Sequence, residues 1–388
     1  MRILKNLILS FFNYLWKLKL FILKPAPPQK IEKILILPRT GIGDMIMLIP
    51  FLNSLKNYFP DSELTFIISP NRGLGELAED TGHIDNIIEY DFVKNWQLHK
   101  ILKLAYKIEG EFDVSFSCWG FPVNVLPFIK SRYSIGFNHQ LGYDKKSQFL
   151  LDYAVKLDAD SVKQHDVQRY LNLLEPLKTS PSFHSFEGGE KGGVVNLGPF
   201  LKVREEDKIY IDHLLKKDNI LNGDILIGFH AGSNSDQPEK RWSKEKFIDL
   251  GKYLSKEYKA KVIIVGSAGE KEFAGDIAEK INGVNLAGET TVMQTAALIH
   301  RCKIFISNDT GPMHIAAAVG TPVVALFGPT DPCINGPYTD KAVIVNKELA
   351  CSPCYIPYSS RINCETLECM NLISVEEVIN KIKGLITT

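Results

Sequence analysis

The sequence predicts two α/β units in tandem, each a parallel sheet with helices on both faces. Three observations carry this expectation. Short β-branched runs alternate with helix-length segments in both halves. Each half opens on a buried strand that runs straight into a small-residue turn. Residues 179–200 are rich in Ser, Gly and Pro, lack periodicity, and separate the two patterns.

The first half starts with Lys33-Ile34-Leu35-Ile36-Leu37-Pro38, an apolar run of strand length. The turn Arg39-Thr40-Gly41-Ile42-Gly43-Asp44 follows, then a helix through about Tyr58 that Pro50 should kink. Strands are expected over 64–69, 87–90 and 113–116, with helices near 97–108 and 163–177. The second half repeats the pattern more cleanly. Strands fall at 224–229, 261–265, 303–307, 322–327 and 342–345, and helices near 243–257, 270–281, 291–301 and 312–319. Thr291 with Gln294, and Ser374 with Glu377, have capping-box spacing. The expected boundaries are a basic segment 1–30, a first domain 31–185, a linker 186–205, a second domain 206–370 and a terminal helix 371–388 that can cross back to the first domain. A cleft between two such domains is where ligands usually bind.

Composition narrows the function. Lys+Arg and Asp+Glu both number 45, so no global basic field points to nucleic acid. Seven cysteines, an odd number in a chain of 388 residues, argue for a reducing cytoplasm over a secreted disulfide framework. Residues 1–24 hold Arg2, Lys5, Lys17, Lys19 and Lys24 and no acid, while Leu4, Leu7, Ile8, Phe11, Leu15, Leu18 and Ile22 keep helical spacing. This reads as a basic amphipathic helix on an anionic membrane surface; a helix packed on the protein itself and a signal or anchor segment are the alternatives.

The most telling segment is Ser307-Asn308-Asp309-Thr310-Gly311-Pro312-Met313-His314, between a β-branched strand and a small-residue helix. Gly311 permits close backbone approach, Pro312 suits the first helical turn, and the free N–H groups there favour an anion. With Thr310 and His314 as further donors, the turn reads as a diphosphate cradle; simple helix capping is the alternative. Small residues and hydroxyls recur at His230-Ala231-Gly232-Ser233, and Lys240 and Arg241 are placed to neutralise a leaving diphosphate unless they only face solvent around an anchoring Trp242. Glu272 or Glu270, just past the 261–265 strand, can accept from ribose hydroxyls or merely complement a helix start. Asp44, opening a helix at the carboxyl end of the first strand, is either a first-turn acid or a general base for an incoming hydroxyl. Gly41-Ile42-Gly43 is no dinucleotide fingerprint: Met45-Ile46 replace the third glycine and no acid ends the second strand. Asp158-Ala159-Asp160 is a weak divalent-ion motif, and Cys351, Cys354, Cys364 and Cys369 form an irregularly spaced candidate for a structural metal or paired thiols, with plain loop packing as the alternative.

Gly43-Asp44 with Pro50, the Gly232…Lys240-Arg241-Trp242 loop, Ser307 to Ala317, Gly320-Thr321-Pro322, Phe327-Gly328-Pro329-Thr330 and Cys351-Ser352-Pro353-Cys354 together resemble glycosyltransferase family 9, the family of lipopolysaccharide heptosyltransferases. The resemblance implies a GT-B fold, an inverting transfer and no metal or other cofactor beyond the nucleotide-sugar donor, ADP-heptose. It casts Asp44 as catalytic base, Lys240 as stabiliser of the leaving group, Asp309 as a donor-sugar contact or the residue that orders the turn, and Thr310, Gly311 and His314 as phosphate ligands assisted by Ser233, with Glu272 at the ribose. It also implies a lipid-linked or lipopolysaccharide-core glycan as acceptor; the basic segment 1–24 precedes the family's usual first strand, and it fits work at the cytosolic face of the inner membrane. A transferase using another nucleotide sugar, a nucleotide-sugar epimerase and a non-catalytic relative are the alternatives.

Overall fold

A computed structural model describes residues 26–39, 41–70, 73–91, 98–108, 110–118, 126, 128–138, 151–156, 164–180, 198–235, 237–354, 364 and 366–386. The chain divides into two compact units, residues 1–193 and 194–388. The basic segment 1–24 and the Asp158-Ala159-Asp160 motif lie outside the described residues. Among the described residues no helix is long and apolar enough to cross a membrane.

The first unit holds a six-stranded sheet of β1 (Lys33–Leu37), β2 (Glu63–Ile68), β3 (Asn86–Glu89), β4 (Phe112–Ser117), β5 (Ser131–Asn138) and β6 (Tyr153–Lys156). The strand order is β3-β2-β1-β4-β5-β6, and every neighbouring pair is parallel. β1 is central and Ile34 through Leu37 are fully buried, which is why it reads as a continuous apolar run rather than an alternation. The chain leaves it through Gly41, in extended conformation, into α1 (Ile42–Tyr58), a helix that continues through Pro50. Helices α2 (Leu74–Asp80), α3 (Leu98–Lys107) and α4 (Asp166–Asn172) complete the unit. The helix expected over 163–177 stops at Asn172 and resumes as a 3₁₀ turn at Glu175–Thr179, because Pro176 carries no N–H to continue the ladder.

Strands β5 and β6 lie in stretches where the sequence shows no recognisable motif. β5 is buried continuously from Tyr133 to Phe137, but Ile135 is its one β-branched residue and Ser134 and Gly136 dilute the apolar run. The glycine is needed there: a Cβ would lie 2.9 Å from the Leu151 side chain and 3.2 Å from the Ser117 carbonyl.

The second unit repeats the plan with β7 (Leu226–His230), β8 (Lys261–Ile264), β9 (Val284–Asn285), β10 (Ile304–Asn308), β11 (Val323–Phe327) and β12 (Ala342–Asn346). Its order is β12-β11-β10-β7-β8-β9, again all parallel. Counted from its own first strand, this is the order of the first sheet. The helices are α5 (Glu205–Lys217), α6 (Lys244–Tyr258), α7 (Lys271–Ile281), α8 (Val292–Arg301), α9 (Gly311–Ala318), α10 (Pro332–Asn335), α11 (Glu368–Asn371) and α12 (Val375–Ile386). Helix α5 escaped sequence recognition because its surface is largely Glu and Lys and only Ile211 and Leu215 supply buried apolar contacts. In α9 the buried run Ala316-Ala317-Ala318 lets the helix pack closely on the sheet, and Gly320, with φ of +80°, ends it in the left-handed conformation that suits glycine. The core is built on Phe229, Phe247 and Trp242, with ring centroids 5.4 and 5.1 Å apart. Val378 and Ile382 of α12 join this core, so the described packing of the terminal helix is with the second unit.

In both sheets the strand order reverses beside the first strand, between β1 and β4 and between β7 and β10. A crevice at the carboxyl ends of the strands opens at such a switch point and is the usual ligand site of open α/β sheets. The turns singled out by sequence, 39–44 and 308–314, follow β1 and β10 at these two places.

Candidate functional site

The first unit presents a ladder of alternating charges. Asp44 sits in the first turn of α1, and its Oδ1 is 2.9 Å from Arg39 Nη1. The same nitrogen lies 3.3 Å from Asp166 Oδ2, and Asp166 Oδ1 lies 2.7 Å from Arg169 Nη1. Asp166 opens α4, whose N-cap His165 accepts from the Val167 N–H through Nδ1. The ladder runs from the surface inwards: the Asp44 carboxylate is 21% exposed, the Arg169 guanidinium 5%. Below it lies the fully buried Tyr170, whose phenol is held well above its ordinary pKa by burial first and by the Asp44 and Asp166 charges next, against the opposing pull of Arg39. Its hydroxyl stays neutral beside the ladder. The absence of a side chain at Gly41 leaves room for the Asp44 carboxylate, since a Cβ there would lie 2.5 Å from Oδ2. A partly exposed carboxylate oriented by a fixed guanidinium can take a proton from a hydroxyl brought to it.

The second unit assembles a more elaborate cluster. Asn308, fully buried at the end of β10, donates through Nδ2 to the carbonyls of Ala231 (2.8 Å) and Gly232 (3.0 Å), and its Oδ1 accepts from the Trp242 N–H (3.0 Å). One amide thus joins the β10 turn to the loop after β7 and to the 233–242 loop. Trp242 is anchored in turn, its indole N–H donating to the Ile373 carbonyl at 2.9 Å. Ser233 is locked by Arg241, whose Nε donates to Oγ (2.8 Å) and Nη2 to the carbonyl (3.1 Å), while the serine hydroxyl donates to the Gln237 carbonyl (2.8 Å). Beside this frame Lys240 Nζ meets Asp309 Oδ2 at 2.8 Å; the two side chains are 9% and 4% exposed. Asn335 Nδ2 donates to the other Asp309 oxygen at 3.4 Å.

Helix α9 begins at Gly311 with Thr310 as N-cap, but the Thr310 hydroxyl makes no capping bond. It shares a 2.8 Å hydrogen bond with Nδ1 of His230, the last residue of β7. On its far side His230 places Nε2 3.5 Å from Glu270 Oε1. Glu270 closes a capping box with Ser267, whose N–H and hydroxyl both donate to Oε2 at 2.7 Å. Burial alone would raise the Glu270 carboxyl; His230 and the Ser267 bonds outweigh it and bring the pKa down to about 2. Gly232 makes the arrangement sterically possible, because a Cβ at that position would overlap Glu270 Oε1. A helix start without a side-chain cap, next to a buried lysine, is a place where an anion with several oxygens can be held.

Of the residues singled out by sequence, Asp44 belongs to the first unit. Lys240, Ser233, Asp309, Thr310, Gly311 and His314 fall in the second, on the loop after β7 and on the turn and first residues of α9. Glu272 is exposed on the first turn of α7, and Glu270 is the acid turned toward His230. Sequence reading assigned no part to Arg39, Asp166, Arg169, His230 or Asn308. The available signal for His230 was a polar residue closing the apolar run Leu226–Phe229; none exists for Asp166, which is 127 positions from Arg39.

Cys351, Cys354, Cys364 and Cys369 are all free thiols. The Cys354 N–H donates to the Pro329 carbonyl at 2.9 Å, and Cys369 is buried beside Gly328. Among the described residues no three metal-ligating side chains are grouped to hold an ion.

Comparison with known proteins decides the family. The model of glycosyltransferase family 9 (heptosyltransferase) matches residues 131–361. The chain belongs to glycosyltransferase family 9. It is 28% identical to lipooligosaccharide heptosyltransferase 2 of Haemophilus influenzae, over 80% of this chain and 88% of that protein. Among solved structures it resembles a family 9 glycosyltransferase from Veillonella parvula (TM-score 0.70, 24% identity, 94% of this chain and 99% of that one). It also resembles the ADP-heptose lipopolysaccharide heptosyltransferase II of Escherichia coli (TM-score 0.67, 22% identity, 92% and 98%). The two doubly wound sheets are those of a GT-B glycosyltransferase. As a family 9 enzyme the chain transfers a sugar, and its two switch-point clusters are the places to seek the chemistry.

The charge ladder carries a stability prediction. Asp166→Asn removes the charge set against the buried Arg169 guanidinium at 2.7 Å, and breaking such a pair costs about 3 kcal/mol. Urea unfolding should show the first unit's midpoint falling accordingly; an unchanged midpoint would mean that the ladder is energetically idle.

Proposed function

We propose that this glycosyltransferase moves heptose from ADP-heptose onto a hydroxyl of a lipopolysaccharide core or a related surface glycan, by an inverting, metal-independent displacement. The observation that carries the reading is the buried Lys240–Asp309 pair beside the helix start at Thr310-Gly311. A leaving nucleoside diphosphate gains negative charge as its bond to the sugar breaks, and that charge needs cations and N–H dipoles already in position. Lys240 and the N-terminus of α9 supply them, so the positive charge that a divalent ion would bring comes from the chain itself. Thr310, Gly311 and His314 hold the phosphate oxygens, and Ser233, fixed by Arg241, shapes the loop beside them.

The acceptor oxygen attacks the anomeric carbon while Asp44 takes the hydroxyl proton. The bond from that carbon to the diphosphate oxygen breaks, and its electron pair leaves with the ADP. One in-line displacement inverts the anomeric configuration. Arg39 holds the Asp44 carboxylate in place until the acceptor arrives. The choice of ADP-heptose and of a lipopolysaccharide-type acceptor is supported by the heptosyltransferases to which the chain is similar. The basic amphipathic pattern of residues 1–24 supports work at the cytosolic face of the inner membrane, where a lipid-linked acceptor would be met.

Two outcomes follow. Asp44→Asn should lower transfer by about 10²–10⁴-fold, the usual worth of a general base, with ADP affinity kept within a few-fold. This is read by following ADP release in EDTA with ADP-heptose and acceptor; full turnover would remove Asp44 from the chemistry, and conversion of the donor to an isomer without acceptor and without ADP release would favour an epimerase. Deleting residues 1–24 should abolish sedimentation with anionic phospholipid vesicles while the melting profile is kept. Loss of the folded state would instead make that segment part of the protein's own packing.

A further inference from the structure

We infer that His230 is a positioning residue that aims the Thr310 hydroxyl at a bound diphosphate, and that it takes up a proton as the diphosphate enters. This presupposes the diphosphate site proposed for the α9 turn.

His230 is buried between two fixed partners. Nδ1 is 2.8 Å from Thr310 Oγ1, and Nε2 is 3.5 Å from Glu270 Oε1. Glu270 Oε2 is fully occupied by Ser267, whereas Oε1 is buried and has no hydrogen-bond partner, so it has only the imidazole to turn to. A carboxylate facing Nε2 demands that this nitrogen carry the proton. In the neutral ring Nδ1 is then an acceptor, and the Thr310 hydroxyl must donate inwards, either to it or to the Asn308 carbonyl 3.2 Å away. With its proton turned inwards, Thr310 shows the helix start only oxygen lone pairs, the wrong polarity for a phosphate.

Protonation reverses this. In the imidazolium both nitrogens donate, Nδ1–H to Thr310 Oγ1 and Nε2–H to Glu270. The threonine hydroxyl is then free to rotate and donate to a phosphate oxygen at the head of α9. The remaining tautomer, with the proton on Nδ1 alone, sets the Nε2 lone pair against the Glu270 carboxylate and is disfavoured. An anion that needs the Thr310 donor therefore selects the charged ring, and binding and protonation become linked.

The surroundings are consistent with one proton moving. Glu270 faces His230 from the turn after β8, and Ser307, its parallel-strand partner, and Thr310 face it from β10 and the turn beyond. Of the other charged or titratable groups in the cluster, Lys240 and Asp309 cancel each other, Arg241 is turned to Ser233, and His314 stands on the first turn of α9. Glu270 is thus the charge that makes an imidazolium tolerable here.

The test is ADP binding to the full chain across pH 7 to 9, with nitrogen-15 spectra of the histidine rings. Tight binding should weaken toward about tenfold per pH unit, the slope of one linked proton, and the His230 ring should change from the neutral to the doubly protonated pattern when ADP is added. His230→Asn, whose amide N–H stands in for Nδ1–H at any pH, should keep ADP binding and flatten the slope. His230→Ala should bind ADP about tenfold more weakly throughout. If ADP binds but the ring stays neutral, or His230→Asn keeps the wild-type slope, the inference falls and the cradle stands. If ADP does not bind at any pH, the cradle falls and the inference with it.

Discussion

The buried ion pair between Lys240 and Asp309 is the interaction on which the second unit's site depends. Two charges withdrawn from water carry a desolvation penalty that good geometry and neighbouring bonds must offset. Here the pair itself is short, Asn335 adds a bond to Asp309, and the frame around them fixes the loops that carry both residues. Asn308 fastens three backbone segments at once, Trp242 is sealed into the core and pinned to Ile373, and Arg241 fixes Ser233. None of these groups is needed to form a sheet. Together they hold a lysine in a place of low dielectric, neutralised by a partner that a more highly charged anion can displace. Under the proposed function, this is how the site stays stable when empty and becomes strongly attractive to a diphosphate as bond cleavage raises its charge.

The first unit solves the opposite problem with the same architecture. Under the proposed function its switch point presents a negative group: Asp44 is paired with Arg39, which Asp166 braces, and Asp166 is held in turn by Arg169. Identical strand orders therefore carry complementary clusters: a carboxylate backed by a guanidinium after β1, and a lysine backed by a carboxylate around β10. In each unit the central strands and close helix packing fix the backbone, and the turn at the strand end decides the chemistry.

What could be read from the sequence was what is local. β1 and β10 announce themselves because central parallel strands are apolar on both faces, and the α9 turn because Gly311 and Pro312 stand where a helix start tolerates them. Family motifs around Lys240, Asp309 and His314 could be recognised for the same reason: each is a short, continuous segment. The ladder Asp44–Arg39–Asp166 was hidden because two of its members meet only through folding. Glu270 and Glu272 cannot be ranked from spacing alone; the capping box at Ser267 turns the first inwards, and helix α7 carries the second outwards. β5 was obscured by Gly136, which satisfies a steric demand from Leu151 that no local pattern reveals.

The central claim is that the cluster around the start of α9 binds a nucleoside diphosphate without a metal. Calorimetric titration of the full chain with ADP, UDP, GDP and NAD in EDTA tests it most directly. The account predicts selective ADP binding that disappears in a Thr310→Ala/His314→Ala double variant. Binding of none of the four, or ADP binding untouched by the double variant, would contradict it.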